Sequence, residues 1–365
     1  MFAIPLTKLK FGITLFLIFL VFKYQFIEER IFLVELITQG YPVFNLSTLL
    51  KTAFIAIISL IFVIYIALNF PKNALFADHS SGFVRLVGWG VLLANLAVVV
   101  LFIINPTLFT RLQFEDFVVE YLSAGLLLAA AGMCAFHAFM LRRSVRQSPI
   151  PLILLLLAGF FFVVGMEEIS WFQRIIGFET PASFDANRQG EFNLHNFASN
   201  LSEEIYYASA FILLVLFPFI YSVIPSMKQS KVLTFLVPGK VIMVVGMLQA
   251  AYNFHLWNRV STQYVFFCTV FILMFMIFRA MNSTESRNDK WFMLLMLVSI
   301  VGTQAIFLLR ADTILVQWSI SEYKELFIPI GLALYSLEML LRTRRHAAKQ
   351  PAESVSGIFP ERGSV

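Results

Sequence analysis

The chain has 365 residues, of which 59% are hydrophobic and only 13% are charged, and its formal net charge is +5. Soluble globular domains carry about 25% charged residues, so this composition excludes a soluble domain. Basic loops that face one leaflet of a membrane account for the positive charge, and we expect no nucleic-acid partner.

Apolar runs of about 20 residues, the length that crosses the hydrocarbon core of a bilayer, recur along the chain. They predict an all-α fold, a polytopic transmembrane helical bundle that forms one domain over residues 1–346. We predict ten spans, at residues 10–27, 51–70, 83–104, 117–141, 150–166, 203–224, 233–253, 262–281, 291–310 and 324–341. The first run lacks a signal-peptide cleavage site and is predicted to be retained. The polar tail at 347–365 is predicted to be disordered.

The loops between these spans differ in charge. Of the 27 lysines and arginines, 17 fall in the termini and in every second loop, which predicts that both termini face the cytoplasm. Of the 22 acidic residues, 16 fall at or near the opposite surface. This asymmetry indicates either a solvated surface or a polar site on the extracytoplasmic side.

Residues 165–204, between the fifth and sixth predicted spans, differ from the rest of the chain. This 165–204 segment contains seven acidic residues, two arginines and one histidine, and it is predicted to be a polar extracytoplasmic loop or re-entrant segment. Ionisable groups close to the membrane are costly, so we predict that the segment carries a functional site. The alternative is a structural cluster of ion pairs.

The start of the segment predicts one polar helical face. If the fifth span continues as a helix, one side of it carries, three or four residues apart, Glu167, Ser170, Trp171 and Arg174. Ser170 could then donate a hydrogen bond to Glu167, and Arg174 could hold a carboxylate or an anionic ligand. We predict that the catalytic residues are Glu167, Glu168, Arg174 and His195.

Polar residues alternate further along the segment, at Asn187, Gln189, Glu191, Asn193 and His195. In an extended segment, alternate residues lie on one face. A row of donors and acceptors suits a sugar, a phosphate or a hydrated metal, and the alternative is a loop that ties its own neighbours together. The predicted substrate-binding residues are Ser170, Trp171, Gln173, Asn187, Gln189, Glu191, Asn193 and Asn196.

His195 supports three interpretations. It could act as a general acid or base. It could bind zinc together with His255 and Glu168, because zinc accepts imidazole and carboxylate ligands, and a divalent metal is therefore a candidate cofactor. It could also be a hydrogen-bonded structural residue, since the sequence contains no HExxH, HxxxH or CxxC spacing.

Two motifs carry a resemblance to a known family. They are EEISWxQR at 167–174 and NxQxExNLHN at 187–196, which together cover about 30 residues. The pair resembles a family of bacterial polytopic inner-membrane proteins that has no assigned reaction. The resemblance implies a location in a bacterial inner membrane and implies no reaction.

These observations favour an enzyme that acts at the extracytoplasmic face on a lipid or a lipid-linked substrate, as a hydrolase or a transferase. The expected partners are membrane lipids and such a substrate. The alternatives are an assembly or interaction subunit that binds envelope proteins, and a transporter. Transport is the less favoured alternative because few charges fall inside the predicted spans.

Overall fold

A computed structural model describes residues 41–68, 76, 78, 80–114, 117–144, 148–184, 187 and 190–349. The predicted span at 10–27, Gln189 and residues 350–365 of the predicted tail lie outside the described residues. The described helices, in chain order, are α1 (Leu46–Ala67), α2 (Gly82–Ile104), α3 (Pro106–Arg111), α4 (Val118–Ser144), α5 (Ile150–Glu168), α6 (Gln173–Ile176), α7 (Ser199–Phe211), α8 (Phe217–Val223), α9 (Pro225–Lys228), α10 (Lys231–Leu236), α11 (Lys240–Gly246), α12 (Val260–Met281), α13 (Arg287–Leu309) and α14 (Ser319–Lys349).

The all-α prediction is confirmed, because the described part of the chain contains helices and no strands. Eight helical segments within it are long and apolar enough to cross a membrane. One of them combines α7 and α8 through a π-helical turn at Ile212–Leu216. The eight segments coincide with eight of the ten predicted spans, and the protein is therefore a multi-pass membrane protein.

The predicted seventh span at 233–253 is wrong, so eight of the nine spans predicted within the described residues are present. Helix α10 ends at Leu236, Pro238 and Gly239 interrupt the chain, and α11 with its 3-10 extension covers only Lys240–Ala251. Twelve helical residues rise about 18 Å, whereas a bilayer core measures about 30 Å. Every residue of α11 is buried, and apolar stretches of this length are more often buried core helices than spans.

An ion pair on α14 holds the interruption between α10 and α11. The Glu338 carboxylate accepts a hydrogen bond from the Gly239 backbone N–H at 2.7 Å, at the start of α11. Arg342 pairs with Glu338 at 3.0 Å and donates to the Val237 carbonyl at 3.1 Å, at the end of α10. A carboxylate therefore lies at a helix N-terminus and a guanidinium at a helix C-terminus, as the helix dipoles favour.

Two glycines allow α11 to run antiparallel to α14 at close range. Gly239, just before α11, lies beside Glu338 of α14. Seven residues later, Gly246 lies beside Gly331, which is seven residues earlier in α14: a Cβ added to Gly331 would be 3.8 Å from the Gly246 Cα. A Cβ added to Gly246 would meet the Leu214 Cβ at 2.6 Å. Because Gly246 and Gly331 have no side chain, the Leu214 side chain fits between the two helices.

The chain divides into two compact units. The first comprises Met1–Leu75, Asn95–Thr110 and Ala250–Lys324, and the second comprises Phe76–Ala94, Arg111–Gln249 and Glu325–Val365. In the first unit, the buried Asn95 side chain donates to Ser299 at 2.6 Å and accepts from Tyr252 at 2.5 Å. The 165–204 segment lies wholly within the second unit.

We predict that Glu338→Ala lowers the free energy of unfolding by about 3–5 kcal/mol, because it leaves the Arg342 guanidinium buried without its carboxylate. Glu338 is 1% exposed. The measurement is thermal unfolding of the purified protein in detergent. The matched control is Glu179→Ala at an exposed site, which should change stability by no more than about 0.5 kcal/mol. Equal midpoints for the two variants would contradict the structural role of the pair.

Candidate functional site

The chain leaves helix α5 through a left-handed turn. Ser170, Trp171 and Phe172 have φ angles of +45°, +53° and +66°, so the predicted continuation of the fifth span through Arg174 is wrong. Side chains in this conformation cost about 1–2 kcal/mol per residue. Neighbouring contacts must offset that cost, and two buried carboxylates supply them.

The first carboxylate, Glu167 at the end of α5, is the centre of one set of hydrogen bonds. Its Oε1 accepts from the Trp171 Nε1 at 2.6 Å. Its Oε2 accepts from the backbone N–H groups of Leu194 at 2.6 Å and His195 at 2.9 Å. Glu167 therefore joins the end of α5 to the backbone of residues 194 and 195, in the loop that precedes α7.

The second carboxylate, Glu191, binds the left-handed turn. Its Oε1 accepts from Arg174 Nη2 at 2.8 Å and Nε at 3.2 Å, so the prediction that Arg174 holds a carboxylate is met by a residue of the same segment. Its Oε2 accepts from Ser170 and from Asn193, both at 2.8 Å. Ser170 thus donates to Glu191, and the predicted bond to Glu167 is wrong.

The described residues of 187–195 do not form the extended row that their alternation predicts. Gly190 has a φ of +65° and a 3-10 turn begins at His195. The Asn187 amide donates to the Asn193 carbonyl and side-chain oxygens, both at 2.8 Å. The described polar residues of this row therefore bind one another across a folded loop.

The loop also has a small core of its own. Phe184 lies between Phe192 and Phe197, with ring centroids at 4.7 and 5.4 Å. The buried Gln173 side chain accepts from the Phe192 backbone N–H at 2.5 Å and donates to Thr180 at 2.6 Å. These contacts pack Phe184, Phe192 and Gln173 together within the 165–204 segment.

His195 occupies the edge of this structure. Its Nδ1 lies 3.4 Å from the Glu167 Oε2, and its side chain is 36% exposed. Burial alone would lower the pKa of His195, but the hydrogen bond to Glu167 and the charges of Glu325 and Glu191 outweigh burial and raise it. The His195 imidazole is therefore accessible, and its Nδ1 is paired with the Glu167 carboxylate.

Glu168 differs from its neighbour Glu167. It is partly exposed, and its interactions are electrostatic, with carboxylates of other helices, Glu325, Glu120 and Glu203, and with Glu167. No hydrogen bond to the Glu168 side chain is formed by residues that the structure describes. Glu120 and Glu325 were not among the predicted site residues, although each is an acidic residue in the first turns of a span.

Two tyrosines adjoin this acidic group. The Tyr207 hydroxyl donates a short hydrogen bond to Glu325. The Tyr206 hydroxyl is buried, and no residue that the structure describes forms a hydrogen bond with it. Its side chain lines a cavity of about 180 Å³ within the second unit. The other lining residues are Leu157, Phe160, Phe161, Ser209, Ala210, Leu213 and Leu332.

The zinc set of His195, His255 and Glu168 remains a prediction. Over the described ranges, no group of three or more histidine, cysteine or acidic side chains is arranged to hold a metal ion. His255 belongs to the first unit, and burial together with Lys324 and Arg259 lowers its pKa to about 3.

Asn196, a predicted substrate-binding residue, is 4% exposed, and its side-chain oxygen accepts a hydrogen bond from Ser199 at 3.4 Å.

The left-handed turn predicts an unusual order of stability at Phe172. Phe172→Gly should be more stable than Phe172→Ala by about 1 kcal/mol, because glycine adopts positive φ without the Cβ clash. The pair Leu155→Gly and Leu155→Ala, at an exposed position in α5, should show the opposite order. Thermal unfolding of the four variants measures both differences, and the same order at both sites would contradict the turn.

The two histidines should give opposite pH dependences of stability. Because the folded-state pKa of His195 is raised, its stabilising contribution is complete below its ordinary pKa of about 6.5 and is lost as pH rises through the raised value. The lowered pKa of His255 makes its contribution fall as pH drops below about 6.5. We expect the difference in melting temperature between wild type and His195→Asn to shrink from pH 5.5 to 9.

The same comparison with His255→Asn should show the difference in melting temperature grow over that range. A His195→Asn difference that is independent of pH would mean that the imidazole is not paired with Glu167. Wild type and both variants need only a thermal-shift measurement at each pH.

Comparison with protein-family models, with curated proteins and with solved structures finds no match to this chain. The family resemblance of the two motifs therefore remains a prediction. The arrangement of Glu167, Glu168 and His195 is the basis on which a function can be assigned.

Proposed function

We propose that the protein is a membrane enzyme that acts on a lipid or a lipid-linked substrate, as a hydrolase or a transferase. The observation that carries this proposal is the pairing of the accessible His195 with the buried carboxylate of Glu167, 3.4 Å away. A carboxylate that holds one imidazole nitrogen fixes the ring and leaves the other nitrogen for proton transfer.

The residues of the site have separate roles in the proposed reaction. The Nε2 of His195 accepts a proton from a water molecule or an acceptor hydroxyl as that oxygen attacks, and then returns the proton to the leaving group. Glu167 orients the imidazole and stabilises its protonated form. Glu168 is the second candidate acid or base, and Arg174 positions the loop through Glu191.

The cavity beside Tyr206 favours a lipid as the substrate class. All of its lining residues belong to membrane-spanning helices, and all except Tyr206 and Ser209 are apolar. An apolar cavity of about 150 Å³ accommodates a benzene molecule, so about 180 Å³ suits a short length of acyl or prenyl chain. Glu168 and Glu325 are close enough to interact electrostatically with Tyr206, one of the lining residues.

The proposal places the protein in a bacterial inner membrane, with both termini in the cytoplasm and the 165–204 segment on the extracytoplasmic side. The distribution of lysine and arginine supports this orientation. Although α11 is too short to count as a span, its antiparallel run along α14 still carries the chain toward the other side. With both termini on one side, the chain must cross the membrane between α8 and α12, in addition to the eight described spans and the predicted span at 10–27.

A non-enzymatic role as an assembly subunit has one observation in its favour. The hydrogen bonds of Glu191 are all made within the segment, to Arg174, Ser170 and Asn193. A closed network of this kind also suits a rigid docking element. The two functions differ in what they require of His195, since only the enzyme needs its proton transfer.

The test is lipid turnover by the purified protein in vesicles of a bacterial total-lipid extract, followed by mass spectrometry. We expect His195→Gln to reduce turnover at least about 100-fold, because general acid–base catalysis contributes about 100- to 10,000-fold. The wild-type rate should rise with pH until His195 is neutral. Glu168→Gln should also reduce it, and the exposed control Glu179→Gln should not.

Two results would contradict the enzyme. One is a folded His195→Gln variant that turns over lipid at the wild-type rate. The other is a wild-type protein that leaves every lipid of the extract unchanged over the whole pH range. The second result, combined with capture of a specific envelope protein that His195→Gln still binds, would favour the assembly role.

A further inference from the structure

The 165–204 segment exposes several large apolar side chains. Six residues between the end of α5 and the start of α7 have between 39% and 71% of their surface exposed. We call these residues the outer apolar face: Phe172, Ile175, Ile176, Phe178, Leu194 and Phe197. Exposed apolar patches of this kind mark a surface that contacts a membrane or another molecule.

Several polar residues of the same segment are buried. Ser170 and Asn193 are 1% exposed, and Glu191 is 4% exposed. A loop surrounded by water has the reverse arrangement, because burying polar groups and exposing large apolar ones both cost free energy. The hydrogen bonds of Glu191 and Asn193 satisfy the inward groups, which leaves the apolar side chains available to a non-aqueous environment.

We infer that the outer apolar face is inserted into the boundary between the lipid head groups and the acyl chains of the membrane. Both ends of the segment are joined to membrane-spanning helices, at Glu168 and Leu201. The face is therefore held at the ends of these spans. Their own outward residues Val163 and Ile205, 46% and 56% exposed, lie in the neighbouring turns.

The charged residues that remain exposed fit the same position. Arg174 has 41% of its side chain exposed while it pairs with Glu191, and Glu179 is also exposed. Charged groups beside apolar ones are typical of segments that lie about 5–10 Å deep in a membrane surface, because the charges reach the head groups. A soluble partner protein is the other occupant that such a face could take.

Insertion has a consequence for His195, although it does not depend on the proposed function. Leu194 and Phe197 flank His195 in the chain, so the imidazole lies at the level of the lipid head groups. A polar group carried by a lipid could reach it without leaving the membrane. The insertion can be tested whether or not the protein turns over any lipid.

The experiment measures the depth of a fluorescent label on the face. Ile176→Cys and Leu194→Cys are labelled separately with an NBD maleimide, and the purified protein is placed in phosphatidylethanolamine–phosphatidylglycerol vesicles. The native Cys134 and Cys268 are buried, and the labelled wild type serves as the blank. Phosphatidylcholine with a spin label at acyl carbon 5 or 12 then quenches the fluorescence according to depth.

Two control positions bracket the expected result. Leu93→Cys, exposed in the middle of α2, reports the hydrocarbon core, and Thr284→Cys, in the polar turn before α13, reports water. We expect both labels on the face to emit at shorter wavelength than the Thr284 label and to be quenched at least twice as strongly by the carbon-5 lipid as by the carbon-12 lipid.

The result that overturns the inference is a label at Ile176 and at Leu194 that emits like the Thr284 control and is quenched by neither lipid. The purified protein in vesicles has no protein partner, so a face that normally docks one would give this result. Two sites are labelled so that a local effect of one substitution cannot decide the outcome.

Discussion

The Glu167 carboxylate is the interaction on which the 165–204 segment depends. Three N–H groups converge on it, two of them from the backbone of a loop 27 and 28 residues away in sequence. A buried carboxylate with several donors is strongly favoured over one without them. By fixing the loop against the end of α5, Glu167 places the Glu191 side chain within reach of the left-handed turn. The left-handed turn then directs the Arg174 side chain back to Glu191.

The left-handed turn decides which residues face inward. Three consecutive residues at positive φ redirect the chain after α5, so Gln173 becomes buried while Ile175 and Ile176 become exposed. A right-handed continuation would have kept Ser170 and Arg174 on the Glu167 side of one helix. The strain of the turn is consistent with a functional segment, since such backbone persists only where surrounding contacts fix it.

Hydropathy was sufficient to predict the all-α multi-pass fold and eight of its spans, because lipid-exposed helices need apolar side chains on every side. It failed at 233–253, where burial inside the protein makes a short helix equally apolar and where Pro238 and Gly239 interrupt it. At the site, residue types identified Ser170, Arg174 and Glu191, but the pairing of the first two with Glu191 depended on the left-handed turn. Glu120 and Glu325, which interact electrostatically with Glu168, lie on helices distant in sequence, and no local sequence pattern indicates that they are close to it.

The adjacent residues Glu167 and Glu168 differ in how many hydrogen bonds they form, and so in what their substitution would test. Glu167 is fully engaged in hydrogen bonds, so its removal would disrupt the loop as well as the orientation of His195, and an inactive Glu167 variant would not distinguish the two effects. Glu168 has electrostatic neighbours and no hydrogen bond from the described residues, so its side chain can change protonation without breaking a structural contact. His195 is intermediate, since its backbone N–H is part of the structure while its imidazole is accessible. The proposed chemistry is therefore best separated from folding at Glu168 and at the His195 ring.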